Sequence, residues 1–394
     1  MRFKKIHKYL SQLFINNFLM LLIIFLAVIS YIYYLGTIPN INLTFMNYSG
    51  TLHGLINDPI NLPYKFLQIA VSGLHLGGNI FSTRLPSAII AIITVIIVYI
   101  VLQNWHSKRV SFLGAVLFLS SSWVIHAARY TDLTVEYLLV IPALLYCKIL
   151  LNKALTKNSV IYLVLFIMSF ILFIPGSIWL VLLTIFNNRQ ILKITIFRNI
   201  NIKKIILLIF SSFYSIGLIS YSIIKDHELI YQFSGLNYGI NQKYLTINNI
   251  IRPIKYLFVS GPNNYYTWLP NTPIFDGFIL LIFILGMIFY VSKLSAGRSK
   301  FLVGSLIISY MLAVVNYGTN FGLIVTLVYL IAITGLADLL QLWLKQFPFN
   351  KVARSFGIIL ISCLVFLSCL YNYRQYFVAW RYNSTVQSVF AKKR

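Results

Sequence analysis

Acidic side chains are scarce in this chain, so each of them can be assessed for chemistry. Only seven Asp and Glu residues occur among 394, against 32 Lys and Arg residues. A carboxylate can act as a general base towards a hydroxyl group, and lysine or arginine can stabilise a phosphate that departs as an anion. Acids that lie close to basic residues are therefore the first candidates for a reactive site.

The segment 57–65, NDPINLPYK, places Asp58 and Lys65 around two prolines. Proline restricts the backbone and removes an amide donor, which predicts a constrained turn that presents the carboxylate. We predict a functional carboxylate at Asp58, and phosphate contacts at Lys65 and at Arg84 in the segment RLPSA (84–88). The alternatives are an ordinary turn aspartate and basic side chains that reach lipid headgroups.

A second group combines Arg129 with Asp132 and Glu136 at i, i+3 and i+7. On one helix this spacing puts the three side chains on a common face. We predict Asp132 and Glu136 as catalytic acids and Arg129 as a contact to phosphate or sugar. The alternative is an ion pair at a helix start, where acids are favoured by the helix dipole.

Arg252 and Lys255 are the remaining candidates for phosphate binding, on a predicted interfacial helix at about 247–259. Contacts to anionic lipid headgroups are the alternative. The tripeptide Asp226-His227-Glu228 could hold a divalent cation, but a solvated loop is the favoured explanation. We therefore predict neither a metal site nor a cofactor. Trp123 and Trp268 are assigned to an aromatic belt at the membrane surface.

Composition defines the environment of these residues. Hydrophobic residues make up 59% of the chain, charged residues make up 10%, and the mean hydropathy is +0.83. An ordinary soluble domain has about 25% charged residues, so the chain is predicted to be an all-α polytopic membrane protein. The net charge is +25, and the basic residues that cause it lie between apolar runs, as the positive-inside rule expects. This charge therefore does not indicate nucleic-acid binding.

Eleven apolar runs predict about eleven transmembrane helices within a single membrane domain, residues 1–394. The runs lie near 13–35, 86–104, 110–127, 134–151, 159–174, 177–186, 205–224, 277–292, 301–317, 321–343 and 355–371. In this topology residues 1–12 are cytoplasmic, and 36–85 and 225–276 are external loops, the first with an amphipathic helix at about 64–76. The basic tail, 373–394, is placed outside, where its charge disagrees with the rule.

Every acid except Asp338 falls on the external side of this topology. Ionisable groups close to a bilayer are costly and commonly functional, so the site is predicted on the external face of a cell membrane.

The order of these features resembles the C-type glycosyltransferases, the group that contains protein O-mannosyltransferases and lipid A aminoarabinose transferases. A first span is followed by a long external loop with prolines and an amphipathic helix, then by RLPSA at 84–88 and by RYTD at 129–132. The resemblance covers about residues 10–190. It implies a bundle of transmembrane helices of that family, with interfacial helices in the external loops.

The resemblance also implies a reaction. A sugar would pass from a polyprenyl-phosphate donor, held among membrane lipids, to a protein, glycan or lipid acceptor, with inversion at the anomeric carbon. An acid of the first loop, here Asp58, would act as base or orient the acceptor, with Asp132 and Glu136 as supporting acids, while basic residues stabilise the lipid phosphate. Family members usually have an acid early in that loop, and residues 41–50, INLTFMNYSG, contain none. Two alternatives therefore stay open: a binding or assembly protein without activity, and a flippase of lipid-linked sugars.

Overall fold

The chain is helical throughout the part that the computed structural model describes. The described residues are 18–36, 52–73, 79–131, 133–155, 160–197, 202–236, 246–262, 268–316 and 321–391, and no β-strand occurs among them. The predicted all-α class is therefore confirmed. Because lipid cannot satisfy backbone amides and carbonyls, helices suit so apolar a sequence.

Eighteen helices are described in chain order. They are α1 (Phe18–Ile32), α2 (Leu52–Asn57), α3 (Leu62–Gly73), α4 (Asn79–Trp105), α5 (Lys108–Ser120), α6 (Ser122–Arg129), α7 (Thr134–Ala154), α8 (Val160–Ile171), α9 (Ser177–Asn187), α10 (Arg189–Phe197), α11 (Ile202–Lys225), α12 (Leu229–Phe233), α13 (Ile247–Lys255), α14 (Gly277–Ser292), α15 (Gly297–Val315), α16 (Gly322–Gln346), α17 (Lys351–Arg374) and α18 (Ser384–Ala391). Helices α13 and α17 continue as π-helical segments, Tyr256–Ser260 and Gln375–Trp380.

Five helices are long and apolar enough to cross a membrane: α4, α7, α15, α16 and α17 with its π-helical extension. Helices α5 and α6 pass the same test together but are bent by 59°, and α1, α8, α9 and α14 are shorter apolar helices. The chain is thus a helical membrane protein. The described residues give five to six spans by length and composition, and the total of eleven stays a prediction.

Helix α16 forms the centre of the bundle, since every residue from Gly322 to Ala337 is buried. It packs most closely against α14, where two glycines face each other. A Cβ at Gly286 would lie 2.1 Å from the Ile331 carbonyl oxygen, and one at Gly335 would lie 2.1 Å from the Ile282 carbonyl oxygen. Small residues let membrane helices approach closely, so this pair of glycines sets the distance between α14 and α16.

Several predicted boundaries were wrong. Helix α4 begins at Asn79, so Arg84 and Pro86 lie within the helix instead of at its start. Helix α3 begins at Leu62, before the predicted start at residue 64, because Pro63 falls in the first turn, where no amide donor is needed.

The far end of the last span also differs from the prediction. The tail does not begin at residue 373, since the helix continues to Trp380. The interfacial helix predicted at 247–259 is confirmed as a helix, with its last turn in π geometry.

Candidate functional site

Arg129 binds the carboxyl-terminal end of α1. Its Nη1 donates to the carbonyl oxygens of Ser30, Tyr31 and Tyr33, at 3.2, 3.3 and 2.7 Å. The last carbonyls of a helix lack partners within it and carry the negative end of the helix dipole. The guanidinium is fully buried, and its Nη2 has no hydrogen-bond partner. Arg129 therefore caps α1 and retains one free donor group.

A second buried arginine lies beside the first. Arg84 is 2% exposed, donates from Nη1 to the Leu35 carbonyl oxygen at 2.9 Å, and is close enough to Arg129 for their charges to interact. Tyr376 accepts a hydrogen bond from Arg129 Nε at 3.2 Å, and its ring centroid lies 5.6 Å from the guanidinium carbon. Two positive charges thus share one buried region between α1, α4, α6 and the π-helical end of α17.

Glu136 is fully buried in the first turn of α7. Its Oε1 accepts a hydrogen bond from the Tyr64 amide at 2.7 Å, whereas its Oε2 has no partner. Tyr64 lies in the first turn of α3, so the carboxylate faces the positive end of that helix dipole. The Tyr64 hydroxyl bonds Ser87 on α4 at 2.9 Å, one turn from Arg84. Tyr64 therefore connects the buried acid to the helix that carries Arg84.

Asp58 has the features of a turn residue. Its side chain is 54% exposed, its Oδ1 accepts from the Ile60 amide at 3.2 Å, and its Oδ2 pairs with Lys65 Nζ at 2.6 Å. Lys65 also donates to the Asp58 carbonyl oxygen at 2.9 Å and interacts with the charge of Glu136. The segment 57–65 thus brings Asp58, Lys65 and Glu136 to one place, but both Asp58 oxygens already have partners.

Asn61 is a polar residue that sequence reasoning missed. It has a left-handed backbone, with φ of 54°, and its amide donates to the Phe173 carbonyl oxygen at 2.8 Å. Its carbonyl oxygen shares the Tyr64 amide with Glu136, while its buried Oδ1 has no partner. Two unpartnered acceptors, Asn61 Oδ1 and Glu136 Oε2, therefore occur around the start of α3. Asparagine tolerates a left-handed backbone, but many asparagines in turns adopt it, so no distinctive signal in the sequence marks Asn61.

An aromatic cluster lies next to Arg129. The ring of His126 is 5.2 Å from that of Trp268, 4.5 Å from Tyr376 and 4.6 Å from Trp380, and Trp123 is 5.2 Å from Trp268. His126 Nε2 and Trp123 Nε1 are buried and have no partners. The assignment of Trp123 and Trp268 to a membrane-surface belt was wrong, since both side chains are buried inside the bundle, where Trp268 packs on His126 and Trp123 packs on Trp268 and Phe321.

The fold thus brings only some of the predicted site residues together. Lys65, Arg84, Arg129 and Glu136 occupy neighbouring elements, but Arg129 and Glu136 do not share a helix face, because α6 ends at Arg129 and α7 begins at Thr134. Asp132 lies outside the described residues.

Other predicted contacts lie apart from this group. Arg252 and Lys255 are on α13, which packs against α15, whereas Lys65, Arg84 and Arg129 are on α3, α4 and α6.

Metal ligands are not grouped in the described ranges. No set of three or more His, Cys, Asp or Glu side chains there could hold a metal ion. Asp226 instead accepts a hydrogen bond from the Glu228 amide at 3.0 Å, as in a solvated turn.

Comparison of the sequence with models of known protein families and with curated proteins gives no match.

Proposed function

We propose that this protein is a glycosyltransferase that moves a sugar from a polyprenyl-phosphate donor to an acceptor at the external face of the membrane. The observation that carries the proposal is a buried carboxylate with one free oxygen, Glu136, at the same end of the bundle as two buried arginines. A base and an anion-stabilising pair are the two groups that inverting sugar transfer requires. The external orientation and the eleven spans of the C-type fold belong to this proposal.

Glu136 is assigned as the base. Its free Oε2 takes the proton of the acceptor hydroxyl, and the hydroxyl oxygen attacks the anomeric carbon of the donor. The bond from that carbon to the phosphate oxygen breaks, its electron pair leaves with the polyprenyl phosphate, and the configuration is inverted. Asp58, the base expected from the sequence, keeps Lys65 in position instead, because both of its oxygens are engaged.

Arg129 and Arg84 stabilise the departing phosphate. Guanidinium groups suit phosphate oxygens, and they act more strongly in a region from which water is excluded. Arg129 has a free Nη2 for this purpose, and Tyr376 and the α1 carbonyls hold the rest of the group in place. The leaving group is itself a lipid, so a site at the membrane boundary can receive it directly.

Glu136 is fully buried and its Oε1 is bound by the first turn of α3, so access of an acceptor to Oε2 requires a local opening of the site. The start of α3 is held by the Tyr64 amide to Glu136, by the Asn61 amide to the Phe173 carbonyl oxygen and by the Tyr64 hydroxyl to Ser87, and the Tyr64 ring also packs in the hydrophobic core.

A binding protein without activity is the second candidate. It is favoured by the roles that Arg129 and Glu136 already have as caps of α1 and α3, which account for these buried charges without any chemistry. A flippase fits less well, because a transport pathway needs polar groups along its length, and these charges gather at one end.

Transfer can be tested with purified protein in detergent, radiolabelled polyprenyl-phosphate sugars of several kinds, and a membrane extract as acceptor. Release of free polyprenyl phosphate together with a labelled acceptor of inverted configuration is expected. Binding of a donor without its consumption would favour the inactive binding protein.

A further inference from the structure

A second group of basic side chains lies far from the candidate sugar site. Arg84 and Trp105 are both on α4, 21 residues apart, which corresponds to about 30 Å along a helix. Six helices meet around Trp105: α4, α7, α9, α14, α15 and α16. Besides Trp105 on α4, the residues that they bring there are Lys148, Asn187, Tyr290, Arg298 and Thr334. Neither the sugar site nor its proposed chemistry uses any of these residues.

Arg298 is held by aromatic rings and has no anionic partner. Its guanidinium carbon lies 4.9 Å from the ring centroid of Trp105 and 5.5 Å from that of Tyr290. In the described part of the chain it forms no ion pair or hydrogen bond, so its donors remain available. A guanidinium that is packed on two rings loses little freedom when it binds, which favours recognition of a flat or tetrahedral anion.

Lys148 brings a second positive charge to the same place. A Cβ built on Gly297 would lie 3.7 Å from Lys148 Nζ, so the ammonium group is at the amino-terminal end of α15. Its charge is close enough to that of Arg298 for the two to repel, and it too forms no ion pair among the described residues. Two half-buried cations that repel each other, with no carboxylate paired to either, are unfavourable unless an anion binds to both.

The first turn of α15 adds backbone donors. The preceding residue, Ala296, has no side chain that could accept from the first amides, and Asn187 instead fixes the turn by donating to the Gly297 carbonyl oxygen at 3.0 Å. Helix amino termini of this kind bind phosphate groups.

His106 does not contribute charge to this group. Burial, assisted by the charge of Arg298, lowers the pKa of His106 to about 4. The ring is thus neutral at neutral pH and bonds the Thr334 hydroxyl at 3.2 Å. The nearest acid along α16, Asp338, forms no ion pair in the described residues. Arg298 and Lys148 therefore give this group a net charge of about +2.

We propose that Arg298, Lys148 and the first turn of α15 bind a phosphate group at the end of the bundle opposite to the sugar site. The group can come from a phospholipid headgroup or from a soluble phosphate compound, and the chemistry of recognition is the same. The proposal is independent of sugar transfer.

Native mass spectrometry of the full chain, released from detergent with phosphatidylglycerol or phosphatidylcholine present, tests the proposal. Saturable retention of phosphatidylglycerol but not of phosphatidylcholine is expected. Arg298→Gln and, separately, Lys148→Gln should each weaken apparent affinity by about tenfold or more, as expected for the loss of a charge-assisted contact to phosphate. The matched control is Lys293→Gln, because Lys293 is an exposed cation near the same helix end and packs on Phe289.

Competition separates the two sources of the phosphate. If inorganic phosphate displaces phosphatidylglycerol, the phosphate group alone is recognised; if it does not, the site needs a lipid. Both outcomes support the proposal. Equal retention of the two lipids, or the same affinity in Arg298→Gln, Lys148→Gln and Lys293→Gln, would overturn it. Unchanged melting temperatures and size-exclusion profiles establish that the variants are folded.

Discussion

Arg129 has structural contacts on one edge of its guanidinium and an unpartnered nitrogen on the other. Nη1 and Nε are committed to α1 and Tyr376, and only Nη2 is free. Removal of the side chain would leave the carbonyls at the end of α1 without their donor in a buried region. Stability and activity should therefore both depend on this residue, and they can be measured separately.

Arg129→Met is expected to lower the free energy of unfolding by about 2–4 kcal/mol, because hydrogen bonds to a charged donor are lost and buried acceptors remain. Thermal unfolding in detergent measures the effect. Arg381→Met is the control, since Arg381 is exposed and its guanidinium lies over the Tyr382 ring. A melting temperature of Arg129→Met equal to that of the control would contradict the capping role.

His106 predicts a pH dependence of stability. Its pKa is about 4 in the folded protein, because burial disfavours the charged ring, and about 6.5 in an unfolded chain. Between these values the unfolded state binds a proton that the folded state does not, so stability falls as the pH decreases from about 6.5 to about 4. His106→Gln should reduce the fall in melting temperature over this window relative to the wild type. An equal fall in the two proteins would contradict the burial of a neutral ring.

The charged site residues could be predicted, whereas their partners could not. Arg84, Arg129 and Glu136 stand out because charges are rare in so apolar a chain and are costly near lipid. Tyr376 is one of 27 tyrosines, and it reaches Arg129 only because the end of α17 returns to α6, which no local pattern encodes.

At the scale of elements, the contact of α14 with α16 depends on two glycines. A methyl group at Gly286 would meet the Ile331 carbonyl oxygen at 2.1 Å, a distance that only backbone displacement can relieve. Gly286→Ala is therefore expected to separate the helices and to lower the melting temperature by several degrees or to prevent folding, since overpacking costs about 1–3 kcal/mol.

Gly217→Ala is the matched control for this substitution. Gly217 lies within α11, and nothing lies within 4 Å of its Cβ position, so alanine should be neutral or slightly stabilising there through its helix propensity. If the two variants unfold at the same temperature, α14 and α16 are not packed through their glycines.

The bend between α5 and α6 shows why element boundaries were only partly predictable. Residues 110–127 read as one apolar span, but the helix breaks at Ser121. The Ser122 amide donates to Asn372 Oδ1 at 3.0 Å, and its hydroxyl bonds Gln375 Oε1 at 3.1 Å. These partners come from α17 and its π-helical end, about 250 residues further along the chain, so the sequence around Ser121 cannot predict the bend.

At the scale of the whole molecule, orientation in the membrane is the main expectation left to test. The positive-inside rule places residues 225–236 outside and the turn after α14, around Lys293, inside. A variant without Cys147, Cys363 and Cys369 provides the background, and single cysteines at Asp226 and Lys293, both exposed, provide the probes. A membrane-impermeant maleimide applied to intact cells should label only the cysteine at 226. The reverse pattern would place the candidate sugar site on the cytoplasmic side.

The most direct test of sugar transfer is donor consumption by Glu136→Gln compared with the wild type. Glutamine keeps an acceptor for the Tyr64 amide, so the fold should persist while the base is lost. We expect consumption to fall by about 100-fold or more, as for removal of a general base, and Asp58→Asn to lose much less. Equal consumption by Glu136→Gln and the wild type would contradict the assignment of Glu136, and no consumption by the folded wild type would contradict sugar transfer itself.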